Sequence, residues 1–162
     1  MCNLNDVINW RRLNSLITLS GQPTENQLVE IKQLGVTHII NLGPHTNKGA
    51  LNDEAGCVEN LGMSYIYIPV DFDNPAEADY IAFCSALEQH KEERIHVHCI
   101  YNARVTAFFY RYAASGYSSE PEMRKLMDSI WRPGGVWAKF ISRHEDARLP
   151  NRYAGVDYQK PL

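Results

Sequence analysis

The sequence predicts an α/β fold in which a central, mainly parallel sheet of four to five strands is flanked by helices. Short runs rich in β-branched residues alternate with longer helical stretches, the pattern of βαβ crossovers and of sheets covered on both faces. The chain has 162 residues, 44% of them apolar and 22% charged. That is enough for one domain with its own core and without disulfide or metal staples. Ile95 to Arg104 leads from an apolar strand through a polar loop into a helix, and ligands of such sheets bind beyond the carboxyl ends of the strands.

Leu16-Ile17-Thr18-Leu19 reads as the first strand, closed by the turn Ser20-Gly21-Gln22-Pro23. Thr24 and Gln27 have capping-box spacing. Leu28, Ile31 and Leu34 then recur at helical spacing until Gly35 stops the helix. Val36 to Leu42 is a buried strand, and Gly43-Pro44-His45 turns the chain. A short helix over Asn52 to Leu61 ends at Gly62, and Tyr65 to Val70 is the third strand. Asn74 as N-cap and Pro75 at the first helical position open a helix with Tyr80, Ile81, Cys84 and Leu87 on one face. After the strand that ends on Cys99, a helix from about Ala103 to Ser115 turns Val105, Phe108, Phe109 and Tyr112 inward and stops at Gly116. Ser119-x-x-Glu122 starts a helix through Ile130, Trp131 to Gly135 is a turn, and Val136 to His144 is the last helix. Residues 1–162 form a single domain with a core over about 15–145 and an extended C-terminal tail.

Composition excludes several function classes. The net charge is −3 and the basic residues are scattered, so no footprint for nucleic acid or an anionic membrane is present; Arg11-Arg12 reads as solvated surface. No apolar run reaches the ~18 residues of a membrane span. Met1 to Arg12 lacks the order of a signal peptide. The cysteines at 2, 57, 84 and 99 make no Cys-x-x-Cys pair, which fits free thiols in a reducing cytoplasm. Gly-x-x-x-x-Gly-Lys and Gly-x-Gly-x-x-Gly are absent, so no nucleotide cofactor is expected. His96-x-His98 beside Cys99 lacks a third ligand at metal spacing, and no metal or other cofactor is expected.

The chemistry concentrates at Cys99. A cysteine at a strand end, followed by Ile100, Tyr101, Asn102 and Ala103 and then Arg104 on the first helical turn, lies under main-chain N–H groups at the positive end of a helix. Such a place favours a thiolate and holds an anion. Arg104 can bind two oxygens of that anion bidentately. The loop has no glycine, and Asn102 is its one residue that readily adopts positive φ. The alternative is a small buried hydrophobe.

Val97-His98-Cys99 and Arg104, with Thr106 nearby, resemble the phosphate loop of the cysteine-dependent protein tyrosine and dual-specificity phosphatases. The likeness spans roughly residues 15–116 and is nearest to bacterial phosphatase-like domains with a shortened loop. That family has five residues between cysteine and arginine; here there are four. The resemblance implies a dual-specificity-phosphatase-like sheet and hydrolysis of a phosphomonoester through a phosphocysteine on Cys99. It implies Asp71 or Asp73 as general acid and a phosphorylated small molecule or phosphoprotein as partner. His98 would orient the loop, or be a core histidine satisfied by a carbonyl. Thr106 would support the thiolate, or bond to the helix backbone. Asn41 and His45 are candidates for the rim. Rhodanese-like sulfurtransferases also have a cysteine loop of about this length, so a Cys99 persulfide stays open, as does a non-catalytic anion-binding domain. Cys57, Cys84, Trp131 and Trp137 read as packing residues.

Overall fold

The computed structural model describes residues 3–117 and 119–153. The described residues form seven strands: β1 (Arg11–Arg12), β2 (Ile17–Ser20), β3 (His38–Asn41), β4 (Ser64–Tyr67), β5 (Ile95–His98), β6 (Trp131–Arg132) and β7 (Arg152–Tyr153). The helices are α1 (Glu25–Gln33), α2 (Glu54–Asn60), α3 (Glu77–Gln89), α4 (Ala103–Tyr112), α5 (Glu120–Asp128) and α6 (Gly135–Phe140). Five strands form one sheet in the order β1-β2-β5-β3-β4. β2, β5, β3 and β4 run parallel, and β1 pairs antiparallel at the edge. Among the described residues no helix is long and apolar enough to cross a membrane.

The register positions the site. His98 lies opposite Ser20 on one side and Asn41 on the other, so three strands end level and Cys99 leaves the middle one. Period-2 alternation along β5 divides its side chains between the faces. Ile95, Val97 and Cys99 join the larger core with Phe83, Phe108 and Trp137. Ile39 of the neighbouring strand belongs to the opposite core with Leu28, Ile31 and Val58. Trp10, half-buried, packs against that core and stacks on His96 at 5.1 Å.

Local chemistry accounts for much of this. Thr24 and Gln27 form the expected capping box at α1. Gly35, Gly62 and Gly116 all have positive φ just beyond helices, the conformation that ends a helix at no Cβ cost. Other expectations are corrected. α3 starts at Glu77 with Ala76 as an N-cap that makes no side-chain bond, two residues later than Asn74-Pro75 suggested. Its inner face is Tyr80, Phe83, Ala86 and Leu87; Ile81 is 61% exposed, because it lies about 100° round the helix from Tyr80. Cys57 and Cys84 are half-buried at the edges of the two cores.

Arg11-Arg12 lies at the surface as expected, with Arg12 exposed, and pairs there as an edge strand. Trp131-Arg132, read as part of a turn, pairs antiparallel with Arg152-Tyr153, so ordered structure continues past residue 145 to Tyr153. α6 is shorter than expected and is followed by a separate 3-10 turn over His144–Asp146. The tail from residue 154, and Cys2, lie outside the described residues.

Candidate active site

The loop after β5 owes its shape to its carbonyls. The Cys99 oxygen accepts from Nδ1 of His98 at 2.9 Å. The Ile100 oxygen accepts from the Gln22 N–H at 3.1 Å. The Tyr101 oxygen accepts from Nδ2 of Asn9 at 2.9 Å. The Asn102 oxygen accepts from the Thr106 N–H at 3.2 Å and from its hydroxyl at 2.8 Å. Among the described residues no peptide is cis, and in a planar trans peptide the following N–H points opposite to the carbonyl. Drawing four successive oxygens toward the surrounding scaffold therefore turns the N–H groups of Ile100, Tyr101, Asn102 and Ala103 to the inner side. One reaches the sulfur: the Asn102 N–H donates to Cys99 Sγ at 3.2 Å. Those of Ile100, Tyr101 and Ala103 have no acceptor among the described residues. Converging N–H groups of this kind bind anions.

Asn102 closes the ring with φ 76°, in the left-handed region, and is the N-cap of α4. It is fully buried, and its side chain donates to the Asn9 carbonyl at 2.8 Å. The Asn9 side chain on the Tyr101 carbonyl and the Asn102 side chain on the Asn9 carbonyl together tie the N-terminal segment to the loop. A Cβ on Gly21 would collide with the Ile100 carbonyl, which is why glycine stands where the β2–α1 turn crosses.

Arg104 is 2% exposed. One Nη1 donates to the Val70 carbonyl at 2.9 Å and to Asn47 Oδ1 at 3.4 Å, and the guanidinium carbon lies 5.5 Å from the Phe72 ring centroid. Its Nε is buried with no partner. The arginine is therefore held at the root of the aspartate loop with a donor still free. Asp71 and Asp73 follow Val70 and are exposed. Asp71 Oδ1 accepts from the Asp73 N–H at 2.9 Å, so Asp71 shapes its own turn. Asp73 does not cap α3. Trp137 Nε1 donates to the Phe72 carbonyl at 2.7 Å, fixing the same loop from the far side.

Thr106 takes the second of its two expected places. Its hydroxyl hydrogen is shared between the Asn102 and Ala103 carbonyls, at 2.8 and 3.1 Å, and its oxygen accepts from Trp131 Nε1 at 3.1 Å. No hydroxyl hydrogen remains for the sulfur. Val105 is wholly in the core. Asn41 accepts from the Gly43 N–H at 2.8 Å and donates to the Tyr65 hydroxyl at 2.9 Å. His45 Nε2 is 2.7 Å from the same hydroxyl, and its ring stacks on Tyr67 at 3.8 Å.

Sequence reasoning missed Glu54, Gln22 and Asn9. Glu54 is 2% exposed, with Oε2 2.6 Å from His98 Nε2 and Oε1 accepting from Gln22 Nε2 at 2.7 Å. Burial pushes the Glu54 carboxyl up, but the His98 charge and the bonds from His98 and Gln22 outweigh it and hold the group below its ordinary value. His96 is bonded to the hydroxyls of Thr18 and Ser20, each at 2.7 Å. Burial, and then the charge of His98, hold it well below 6.5.

Both shifts act in one direction on stability. Below about pH 6.5 the unfolded chain protonates His96 before the folded protein does, and below about pH 4.5 the same holds for Glu54. Stability is fully present above these values and is lost as pH falls. Urea midpoints are expected to decline from about pH 6.5 down to about 4, where His98 is protonated in both folded and unfolded protein and adds no opposing slope; a flat profile over that window would contradict the assignment.

No family profile matches the chain. A crystal structure of a DUF442 phosphatase-like protein from Shewanella putrefaciens CN-32 superposes with a TM-score of 0.75 at 33% identity, covering 86% of this chain and 93% of that one. The chain belongs to the DUF442 family. Two curated β-lactamase hydrolase-like proteins of Xylella fastidiosa share 30% identity with this DUF442 chain over 90 residues, 54% of its length. The match spans about a fifth, 21%, of those relatives. The core catalytic domain of the PP-IP phosphatase SIW14 from S. cerevisiae, crystallised with citrate, is similar in fold alone. Its TM-score is 0.64 at 14% identity, covering 83% of each chain. The DUF442 chain has the α/β fold of cysteine-dependent tyrosine and dual-specificity phosphatases.

Proposed function

We propose that this DUF442 chain hydrolyses a phosphomonoester through a phosphocysteine. The observation that carries the reading is the ring of inward N–H groups around Cys99, created by four carbonyls bonded outward; Arg104, on the first turn of the helix that follows, keeps a buried, unpartnered Nε. The Cys99 thiolate attacks phosphorus; the S–P bond forms as the P–O bond to the leaving group breaks. Asp71 or Asp73 donates a proton to the departing oxygen. Water then attacks the phosphocysteine, the same carboxylate takes its proton, and inorganic phosphate leaves with the thiolate restored. Main-chain N–H groups and Arg104 stabilise the equatorial oxygens, where charge is spread in phosphoryl transfer. The substrate is a phosphorylated small molecule or phosphoprotein.

Two assays test this on the purified chain. p-Nitrophenyl phosphate is expected to be hydrolysed, and inorganic phosphate or sulfate to slow iodoacetamide labelling of Cys99. Transfer of sulfur from thiosulfate to cyanide without phosphate release would replace the proposal with a persulfide carrier. Protection by sulfate with neither activity would leave an anion-binding domain.

A further inference from the structure

Behind the cysteine loop lies a buried charged pair that the phosphoryl-transfer scheme does not use. The side chains of His98 and Glu54 are 0% and 1% exposed, and their Nε2 and Oε2 are 2.6 Å apart. We propose that Glu54 is a positioning residue for Cys99: its carboxylate keeps both ring nitrogens of His98 protonated, so that an imidazolium holds the Cys99 carbonyl and sets positive charge behind the sulfur. This rests on Cys99 being the nucleophile and adds how its reactivity is set.

The hydrogen count supports it. A carbonyl oxygen only accepts, so Nδ1 of His98, 2.9 Å from the Cys99 oxygen, carries a hydrogen. A neutral ring would then turn a bare lone pair on Nε2 toward a carboxylate oxygen, so a hydrogen must lie between them. Gln22 donates to the other oxygen of Glu54 at 2.7 Å, which favours the carboxylate over the acid. The result is a charge-assisted bond between two side chains closed off from bulk solvent.

Apart from His45, whose charge also lowers the Glu54 carboxyl though less than His98 does, the titratable neighbours are neutral. On β5 the His96 ring lies 6.2 Å from that of His98 and is kept neutral chiefly by burial. Tyr65 on β4 is pushed up mainly by burial, and Cys57 on α2 likewise, so both are neutral. His45, in the loop after β3, faces the Tyr65 hydroxyl. A buried ion pair is seldom better for stability than packed hydrocarbon. Its position one hydrogen bond from the loop gives this one a use.

The test is the rate of Cys99 alkylation by iodoacetamide against pH, which needs no phosphatase activity. Glu54→Gln can keep the contacts of position 54 with His98 and Gln22 while removing the charge. At about pH 6 this variant is expected to react about tenfold more slowly than the parent, and at about pH 9.5 the two rates should converge. Glu54→Asp should recover part of the loss. In a His98→Asn background, Glu54→Gln should cause no further slowing, because Glu54 acts through the ring. Nitrogen NMR of the unmodified protein at pH 7 should show both His98 ring nitrogens protonated, a measurement independent of how well any variant folds. A neutral His98 ring, or a folded Glu54→Gln protein whose alkylation profile matches the parent, overturns the proposal. If these signatures appear without phosphate release, the role of Glu54 stands and the phosphatase reading falls.

Discussion

Cys99→Ser is expected to lower p-nitrophenyl phosphate hydrolysis on the order of 10⁴-fold or more. An unionised hydroxyl in place of the sulfur cannot attack phosphorus at neutral pH, and no base is bonded to position 99 to activate it; the bond it receives comes from the Asn102 N–H. The fold should persist. Cys99 is 1% exposed in a core of larger residues, serine is smaller, and the carbonyls that shape the loop are held by His98, Gln22, Asn9 and Thr106 and not by the sulfur. Initial rates paired with a thermal melt separate loss of chemistry from loss of structure. Activity within tenfold of the parent would mean that another group does the work.

Arg104→Lys should reduce kcat/KM by about 10²- to 10³-fold, the usual effect of removing one donor aimed at developing charge. The guanidinium does two things at once: an Nη1 holds the Val70 carbonyl at 2.9 Å, and Nε stays free in the buried site. A lysine ammonium is compact, and its hydrogens cannot span both positions as a planar fork does. If it keeps Val70 it abandons the anion; if it turns to the anion, a buried carbonyl at the root of the aspartate loop loses its partner. Either choice weakens sulfate protection of Cys99 as well as turnover, so both should be measured. Unchanged kcat/KM with a lowered melting temperature would make Arg104 a packing residue.

Much of this molecule follows from short-range rules. The cysteine at a strand end, the capping box of Thr24 and Gln27, and the left-handed turn at Asn102 depend on residues within four positions of one another, which a reader of the chain can see. The inner face of α3 shows where that stops. Tyr80 and Ile81 could each fill a core position, and only docking of the helix decided that Tyr80 goes inside while Ile81 is 61% exposed. The pairing of Trp131-Arg132 with Arg152-Tyr153 was hidden for a similar reason, since two-residue strands have no periodicity to read.

By itself the sequence determined the sheet-and-helix order, the place of Cys99 at the end of a central strand, and an asparagine able to close a loop without glycine. Tertiary structure alone decided what makes that loop a candidate site. Asn9 reaches Tyr101 across 92 residues, Glu54 reaches His98 across 44, and Arg104 fastens onto Val70 34 residues back. Propensity and hydrophobic period act along a few turns of chain, whereas the direction of a buried carbonyl or carboxylate is fixed by whichever distant donor the packed fold brings within 3 Å.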